Sequence, residues 1–354
     1  MNRPVYITAG KIRTFNGSEK ELVTRQTRKF MRFARRSGML FLAVLYELLE
    51  EDGDLPGMQD ESRGGKMPSE RRSVFYGEDL NISPDSAHRE ELLHLQEDGP
   101  FDEHLCFDFI RKNWSAIEVL KEVPNIPCFL AAQMTGSHGH SQTLIEGDAA
   151  GMLALREAWD TLQNGQADIA YVGGASCKQD KDAEMLYHHL GFYGQGDLDI
   201  RDAGAALILE TAESMKRTGR IPLAGIRAVT AGFSPAMCLD RPEKEEEMTE
   251  FLVRIATDAE PVDGYTAGMF SRKYEDLEKK AAREAFPYAT FYGGPFARGE
   301  YRFSADGLCE VVSVLNRPGV SAVASFDRSG HQVCAVIENT TTSSRYAERC
   351  RACG

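Results

Sequence analysis

The sequence predicts an α/β fold with mixed sheets, on the strength of three stretches. Residues 141–176 (SQTLIEGDAAGMLALREAWDTLQNGQADIAYVGGAS) run from a strand through a sharp turn and a helix into a second strand. Residues 203–210 (AGAALILE) form an apolar run of strand length, and 321–326 with 332–338 read as a closing hairpin. Strand-length apolar runs separated by helical periodicity are the pattern of sheets covered by helices.

In the first stretch, Ser141 to Ile145 reads as a buried strand and Glu146-Gly147-Asp148 as a tight turn. Gly147 is the residue there that tolerates unusual backbone angles. Met152, Leu155, Trp159 and Leu162 then recur at helical spacing, and Ala150, Ala154 and Ala158 line a second face. The helix is expected to be packed nearly all round. Asn164-Gly165 stops it, and Asp168 to Gly173 reads as a buried strand. This architecture presents one side chain, Asp148, at a helix N-terminus, where an aspartate cap contributes about 1 kcal/mol.

Along the rest of the chain, Val5 to Ala9 reads as a first buried strand, and the apolar residues from Met39 to Leu49 as a packed helix. Arg25, Arg28, Lys29, Arg32, Arg35 and Arg36 crowd a predicted helix and read as a solvated face, or as a dock for an acidic partner. Residues 50–73 read as a polar surface loop, Val74 to Gly77 as a short strand, and Phe101 to Leu120 as a helix broken at Pro124 and Pro127. After Ala203 to Glu210 come a short helix (Thr211 to Lys216) and a strand (Ile221 to Thr230). An acidic amphipathic helix (Glu243 to Thr257), a short strand (Pro261 to Gly264) and a buried helix (Ser304 to Leu315) follow.

Composition narrows the function classes. The 354 residues are 42% hydrophobic and 27% charged, as in an ordinary globular protein with ample core. A net charge of −13 argues against nucleic acid as a partner. No apolar run reaches membrane-span length and MNRPVYITAG lacks a signal-peptide core, so the expectation is a cytoplasmic protein. The eight scattered cysteines are expected to be reduced thiols. Cys350 and Cys353 form a lone C-x-x-C without partner ligands, and His138 and His140 read as turn residues. Neither pair predicts a metal, and nothing predicts a cofactor.

Several of these stretches resemble the β-ketoacyl-acyl-carrier-protein synthases of the thiolase-like superfamily. Ala154-Leu155-Arg156-Glu157-Ala158 and Val172-Gly173-Gly174-Ala175 match that family's A-L-x-x-A helix and V-G-G strand, and AGAALILE matches its G-A-G-A-L-V-L-E strand. The resemblance covers nearly the whole chain. It implies a pseudo-duplicated αβαβα fold in a single domain of two halves, about 1–215 and 216–354. It also implies a dimer in which the strand matching 168–173 pairs across the axis.

Decarboxylative condensation needs a thiolate to carry the acyl chain and donors to stabilise the enolate and oxyanion. The family supplies cysteine, two histidines and a lysine. By the resemblance, Asp148 stands at the cysteine, Tyr265 and Tyr301 at the histidines and Phe296 at the lysine. No histidine occurs between Leu190 and Gly330. The glycine-rich loop near the family's C-terminus becomes Ser325-Phe326-Asp327-Arg328-Ser329-Gly330-His331-Gln332, with Arg328 at the gating phenylalanine and His331 read as structural.

The resemblance therefore implies no catalytic residues but a chain-length-factor-like subunit, although such subunits usually carry glutamine at the cysteine position. It would pair with an active β-ketoacyl synthase, meet an acyl carrier protein and shape the acyl tunnel in fatty acid, polyketide or aryl polyene biosynthesis. Leu80, Ile82, Trp114, Ile117, Leu120 and Arg328 are the tunnel candidates, Leu80 and Ile82 within a closing segment that starts at Glu78 and Asp79, with ordinary core packing as the plain alternative for Trp114 and its neighbours. Two other readings are an enzyme with altered acyl-thioester chemistry using Asp148, Tyr265 or Glu146, and a homodimeric acyl-binding protein.

Overall fold

The computed structural model describes residues 3–17, 19–25, 27–55, 67–79, 102–113, 115–121, 123–178, 199–235, 245–259, 261–269 and 272–339. Its strands are β1 (Val5–Phe15), β2 (Arg72–Glu78), β3 (Ser141–Leu144), β4 (Ile169–Ser176), β5 (Asp199–Ile200), β6 (Asp202–Thr211), β7 (Ala224–Phe233), β8 (Gly264–Thr266), β9 (Thr290–Tyr292), β10 (Glu300–Tyr301), β11 (Val320–Phe326) and β12 (His331–Asn339). Ten of them hydrogen-bond in the order β3-β2-β4-β6-β1-β7-β12-β11-β8-β9, and β5 pairs with β10. The sheet is mixed: β2 is parallel to β3 and β4, β6 is antiparallel to β4 and β1, and β12 is antiparallel to β7 and β11. Only three residue pairs, Val5–Ile7 against Ala224–Ile226, join β1 to β7.

Alternation along these strands sends neighbouring side chains into different cores, and the cores define layers. Ala170 and Val172 of β4, Leu207 and Leu209 of β6, and Val333 and Ala335 of β12 enclose a central core. It holds two helices, Ala150–Gln163 through Ala154, Leu155 and Ala158, and Asp306–Val314 through Leu308 and Val311. The opposite faces of β2, β4 and β6 pack under the helices Arg36–Asp52 and Ile126–Thr135. The opposite faces of β11 and β12, with β8, pack under Glu245–Ala259 and Arg272–Ala285. The result is a helix–sheet–helix–sheet–helix stack, the thiolase-like αβαβα arrangement.

Several expectations are corrected. β3 is not buried: it is the outer strand of the sheet, and Ser141 and the residues after it are accessible until Leu144. β4 lies between β2 and β6 with both edges hydrogen-bonded, so it cannot pair across a dimer axis; among the described residues the unpaired edge at this end belongs to β3. Phe101 to Leu120 is not one helix but two, Glu103–Asn113 and Ala116–Lys121. The amphipathic helix Arg272–Ala285, with β9 after it, had no counterpart in the sequence reading. The basic cluster divides: Arg35 is buried against Glu78 at 3.5 Å and Arg36 pairs with Asp202 at 2.9 Å, whereas Arg25, Arg28, Lys29 and Arg32 are exposed. Leu80, Ile82, Trp114, Cys238, Cys350 and Cys353 lie outside the described residues, as does much of the 50–73 segment. No helix among the described residues is long and apolar enough to cross a membrane.

Candidate functional site

The chain leaves β3, turns at Gly147 and enters a one-turn 3-10 helix (Gly147–Ala149) that runs directly into the helix Ala150–Gln163. Gly147 has φ +63°, and a Cβ on it would meet the Asp327 carboxylate at 2.9 Å, so both conformation and space call for glycine. The turn holds Asp148 against a second 3-10 turn, Phe303–Ala305, which opens the other central helix. Phe303 is fully buried at φ +45°, a strained conformation for a bulky residue, and it directly follows the segment that brings in Tyr301.

Asp148 is not a helix cap. Neither the 3-10 turn nor the following helix takes a side-chain cap; the Ala149 amide donates to Asp327 Oδ2 at 3.4 Å. The Asp148 carboxylate turns instead to Tyr301, whose hydroxyl donates to Oδ2 at 2.8 Å. Tyr301 is set there by the β10–β5 pairing and by its ring packing on Phe303, centroids 4.7 Å apart.

Burial pushes the Asp148 carboxyl up to about 7, helped by the negative charges of Asp79 and Asp327 and opposed by the Tyr301 hydrogen bond and by Lys178. Asp79 and Lys178 stand just past the C-terminal ends of the parallel strands β2 and β4. Lys178 Nζ lies 3.4 Å from Asp79 Oδ1, and Ser176 Oγ donates to Asp79 Oδ2 at 2.7 Å. Both residues are buried, as is Glu78, which accepts from Ser37 Oγ and faces Arg35. Asp327 accepts from Ser329 Oγ at 2.7 Å and from the His331 amide at 2.9 Å. The His331 ring bridges two carboxylates, Asp327 through Nδ1 and Glu146 through Nε2, each at 3.4 Å. An anion developing beside Asp148 would therefore face two more carboxylates, and the Ala149 amide at the helix start is already engaged by one of them.

Of the two tyrosines expected at histidine positions, only Tyr301 reaches Asp148. Tyr265 is buried in the core under Arg272–Ala285, its ring stacked on Phe286 and Phe291, and its hydroxyl donates to Glu278 Oε1 at 2.8 Å. Glu278 also accepts from the Gly268 and Met269 amides at 2.9 and 3.0 Å; burial nevertheless raises its carboxyl to about 7. Ile117 and Leu120 are 40% and 41% exposed; Leu120 lines a surface groove with Phe30 and Phe129 rather than meeting Asp148. Arg328 is half-buried in the turn between β11 and β12. Sequence reading gave Lys178 and Asp327 no role, and it took Asp79 only as part of the tunnel-closing segment after the Val74–Gly77 strand. The available signal was a charged residue directly after a buried strand in VFYGED, VGGASCK and VASFD, since ligand crevices open at the carboxyl ends of such strands. Among the described residues no cluster of three or more histidine, cysteine or acidic groups could hold a metal ion.

No curated protein matches the chain. Solved structures match its fold along almost all of its length. A chain from the complex of a type II polyketide synthase acyl-carrier protein with its ketosynthase bound to the hexaketide (AntDE:AntF) aligns with TM-score 0.71 and 13% identity, over 96% of this chain and 100% of that one. A β-ketoacyl synthase from Burkholderia phymatum aligns with TM-score 0.70 and 14% identity, over 96% and 100%. The ishigamide ketosynthase/chain length factor aligns with TM-score 0.69 and 14% identity, over the same shares. At such identities these likenesses establish the fold alone. The family model for the β-ketoacyl synthase N-terminal domain matches residues 8–193, just over half of the chain and including the whole Asp148 elbow, and on that match the chain belongs to the β-ketoacyl synthase family.

Proposed function

We propose that this chain is a non-catalytic, chain-length-factor-like subunit that pairs with an active β-ketoacyl synthase, helps receive its acyl carrier protein and shapes its acyl tunnel. The pathway classes it fits are type II fatty acid, polyketide and aryl polyene biosynthesis, in the cytoplasm, with the chain forming one domain of two related halves that meet near residue 215. One observation carries the reading: the side chain at the elbow is a carboxylate, hydrogen-bonded by Tyr301 and flanked by Asp79 and Asp327. Acylating it would give a mixed anhydride, which hydrolyses too readily to hold a growing chain. The surrounding negative charge opposes the enolate and oxyanion that condensation must stabilise. The free edge of β3 supplies backbone donors and acceptors for a partner's strand.

Co-expression with an intact synthase, followed by size-exclusion mass measurement, tests the pairing; the expected result is a stable 1:1 complex. A well-behaved monomer that ignores the synthase would refute it. The raised Asp148 carboxyl favours a second reading, in which it performs altered acyl-thioester chemistry as a proton donor or nucleophile. Incubation with an acylated carrier protein separates the two readings. Stoichiometric acylation by intact mass, lost in Asp148→Ala, would establish the second, and an unmodified chain supports the first.

A further inference from the structure

Two turns from distant parts of the chain meet at one imidazole. Glu146 opens the elbow turn that carries Asp148, and Asp327 opens the tight turn between β11 and β12. The His331 ring lies between their carboxylates, one of them buried (Asp327) and the other exposed (Glu146). The β11–β12 turn is closed by the Gly330 amide, which donates to the Asp327 carbonyl at 3.2 Å. It is tied to the end of β7 by the Ser234 amide, which donates to the Gly330 carbonyl at 2.8 Å. Phe233, 59% exposed, packs its ring at a steep angle to the imidazole, centroids 5.6 Å apart. Two polar contacts cross from one turn to the other: His331 to Glu146, and the Ala149 amide to Asp327.

We infer that His331 is a proton-operated latch: in its charged form it ties the elbow turn to the β11–β12 turn and closes the approach to Asp148, and loss of the proton releases the two turns. Histidine is the side chain that ordinarily changes charge between about pH 5 and 8. An imidazolium carries a donor on each nitrogen and serves both carboxylates, whereas a neutral imidazole carries one and leaves a carboxylate without a donor. Ser329 cannot make up the loss. Its Oγ lies 3.0 Å from Nδ1, but its one hydrogen is already given to Asp327 Oδ1 at 2.7 Å. The charged groups around the ring are mostly acidic. The elbow supplies Glu146 and Asp148, the β11–β12 turn Asp327 and Arg328, and the helix Glu245–Ala259 supplies Glu247, which accepts from the Ser234 hydroxyl. Without the imidazolium, Glu146 and Asp327 face one another across a neutral ring, and like charges push the turns apart. Nothing in the latch depends on which partner or substrate the site serves.

Hydrogen exchange of the full chain tests the latch, read by mass spectrometry on peptides covering residues 143–150 and 325–332 and corrected for the intrinsic pH dependence of exchange. Protection of both peptides is expected to fall at least about fivefold between about pH 5.5 and about pH 8, while a peptide from the buried strand β6 stays constant. His331→Gln has no charged form and should exchange at the open level at both pH values. Glu146→Gln removes one end of the latch at an exposed position and should reduce the change with pH to less than about twofold. It keeps the test decisive where His331→Gln does not fold. Asp148 also changes charge across this range, so the series is repeated in Asp148→Asn, where the fivefold change should persist. Equal protection at both pH values in the wild type would overturn the latch. So would a change that survives His331→Gln or Glu146→Gln in full, or one that disappears in Asp148→Asn.

Discussion

Replacing Asp148 by asparagine removes one charge and almost no volume, and it should stabilise the protein in a pH-dependent way. In the unfolded chain the carboxyl titrates near 4. In the folded protein burial and the neighbouring Asp79 and Asp327 raise it to about 7. A carboxyl raised on folding is bound to its proton more tightly in the native state. Its contribution is fully present below about pH 4, declines between about 4 and 7, and is absent above about 7. Three units correspond to about 4 kcal/mol, a ceiling because Asp148 is only half-buried as a residue. Asparagine never ionises, and its amide oxygen still accepts the Tyr301 hydroxyl. Asp148→Asn should therefore gain about 1–2 kcal/mol over the wild type at pH 5 and up to about 4 at pH 8. Urea denaturation of both proteins from pH 5 to 8.5 measures the difference. A stability gap that does not grow with pH, or an asparagine variant less stable at pH 8, would refute the buried-carboxylate reading and point to a charge the fold requires.

Tyr301→Phe removes the donor that favours the ionised Asp148. It should cost about 1–3 kcal/mol at pH 8 and less at pH 5, read from the same denaturation series, because hydrogen bonds to charged groups are the stronger ones. Tyr265→Phe should cost about 1 kcal/mol without changing whatever Asp148 does, since its hydroxyl serves Glu278 in a different core; an effect on Asp148 chemistry would show coupling between the two sites. Asp148→Cys should not restore condensation in a radiolabelled malonyl assay, because Asp79 and Asp327 remain beside the new thiol and tyrosines, Tyr265 and Tyr301, stand at the positions matching the family's histidines. Gly77→Ala should leave little soluble protein on expression, because the added Cβ would lie 2.2 Å from the Ala150 carbonyl oxygen at the start of the elbow helix.

The sequence alone determined the elements whose signals are local. Apolar periodicity located the helix Ala150–Gln163, the strands β4, β6, β11 and β12 and the turn at Gly147, because each depends on residues a few positions apart. It also determined that the elbow carries aspartate and that residues 191–329 contain no histidine. The tertiary structure decided what Asp148 does. A side chain at a helix start is read as a cap from sequence, but the Asp148 carboxylate accepts instead from Tyr301, 153 positions away, and Asp327 took the Ala149 amide. It decided the separation of the two tyrosines, since one hydroxyl found Asp148 and the other Glu278 according to which face of which sheet each occupied. Edges were equally illegible. β3 and β4 both read as buried strands, and only the order of neighbours in the sheet left one, among the described residues, with an open edge and the other with none. The same holds for the basic run near the N-terminus, where Arg35 and Arg36 reach Glu78 and Asp202 across the fold while Arg25, Arg28, Lys29 and Arg32 stay in water. Charge partners of this kind are set by long-range packing, which no local spacing encodes.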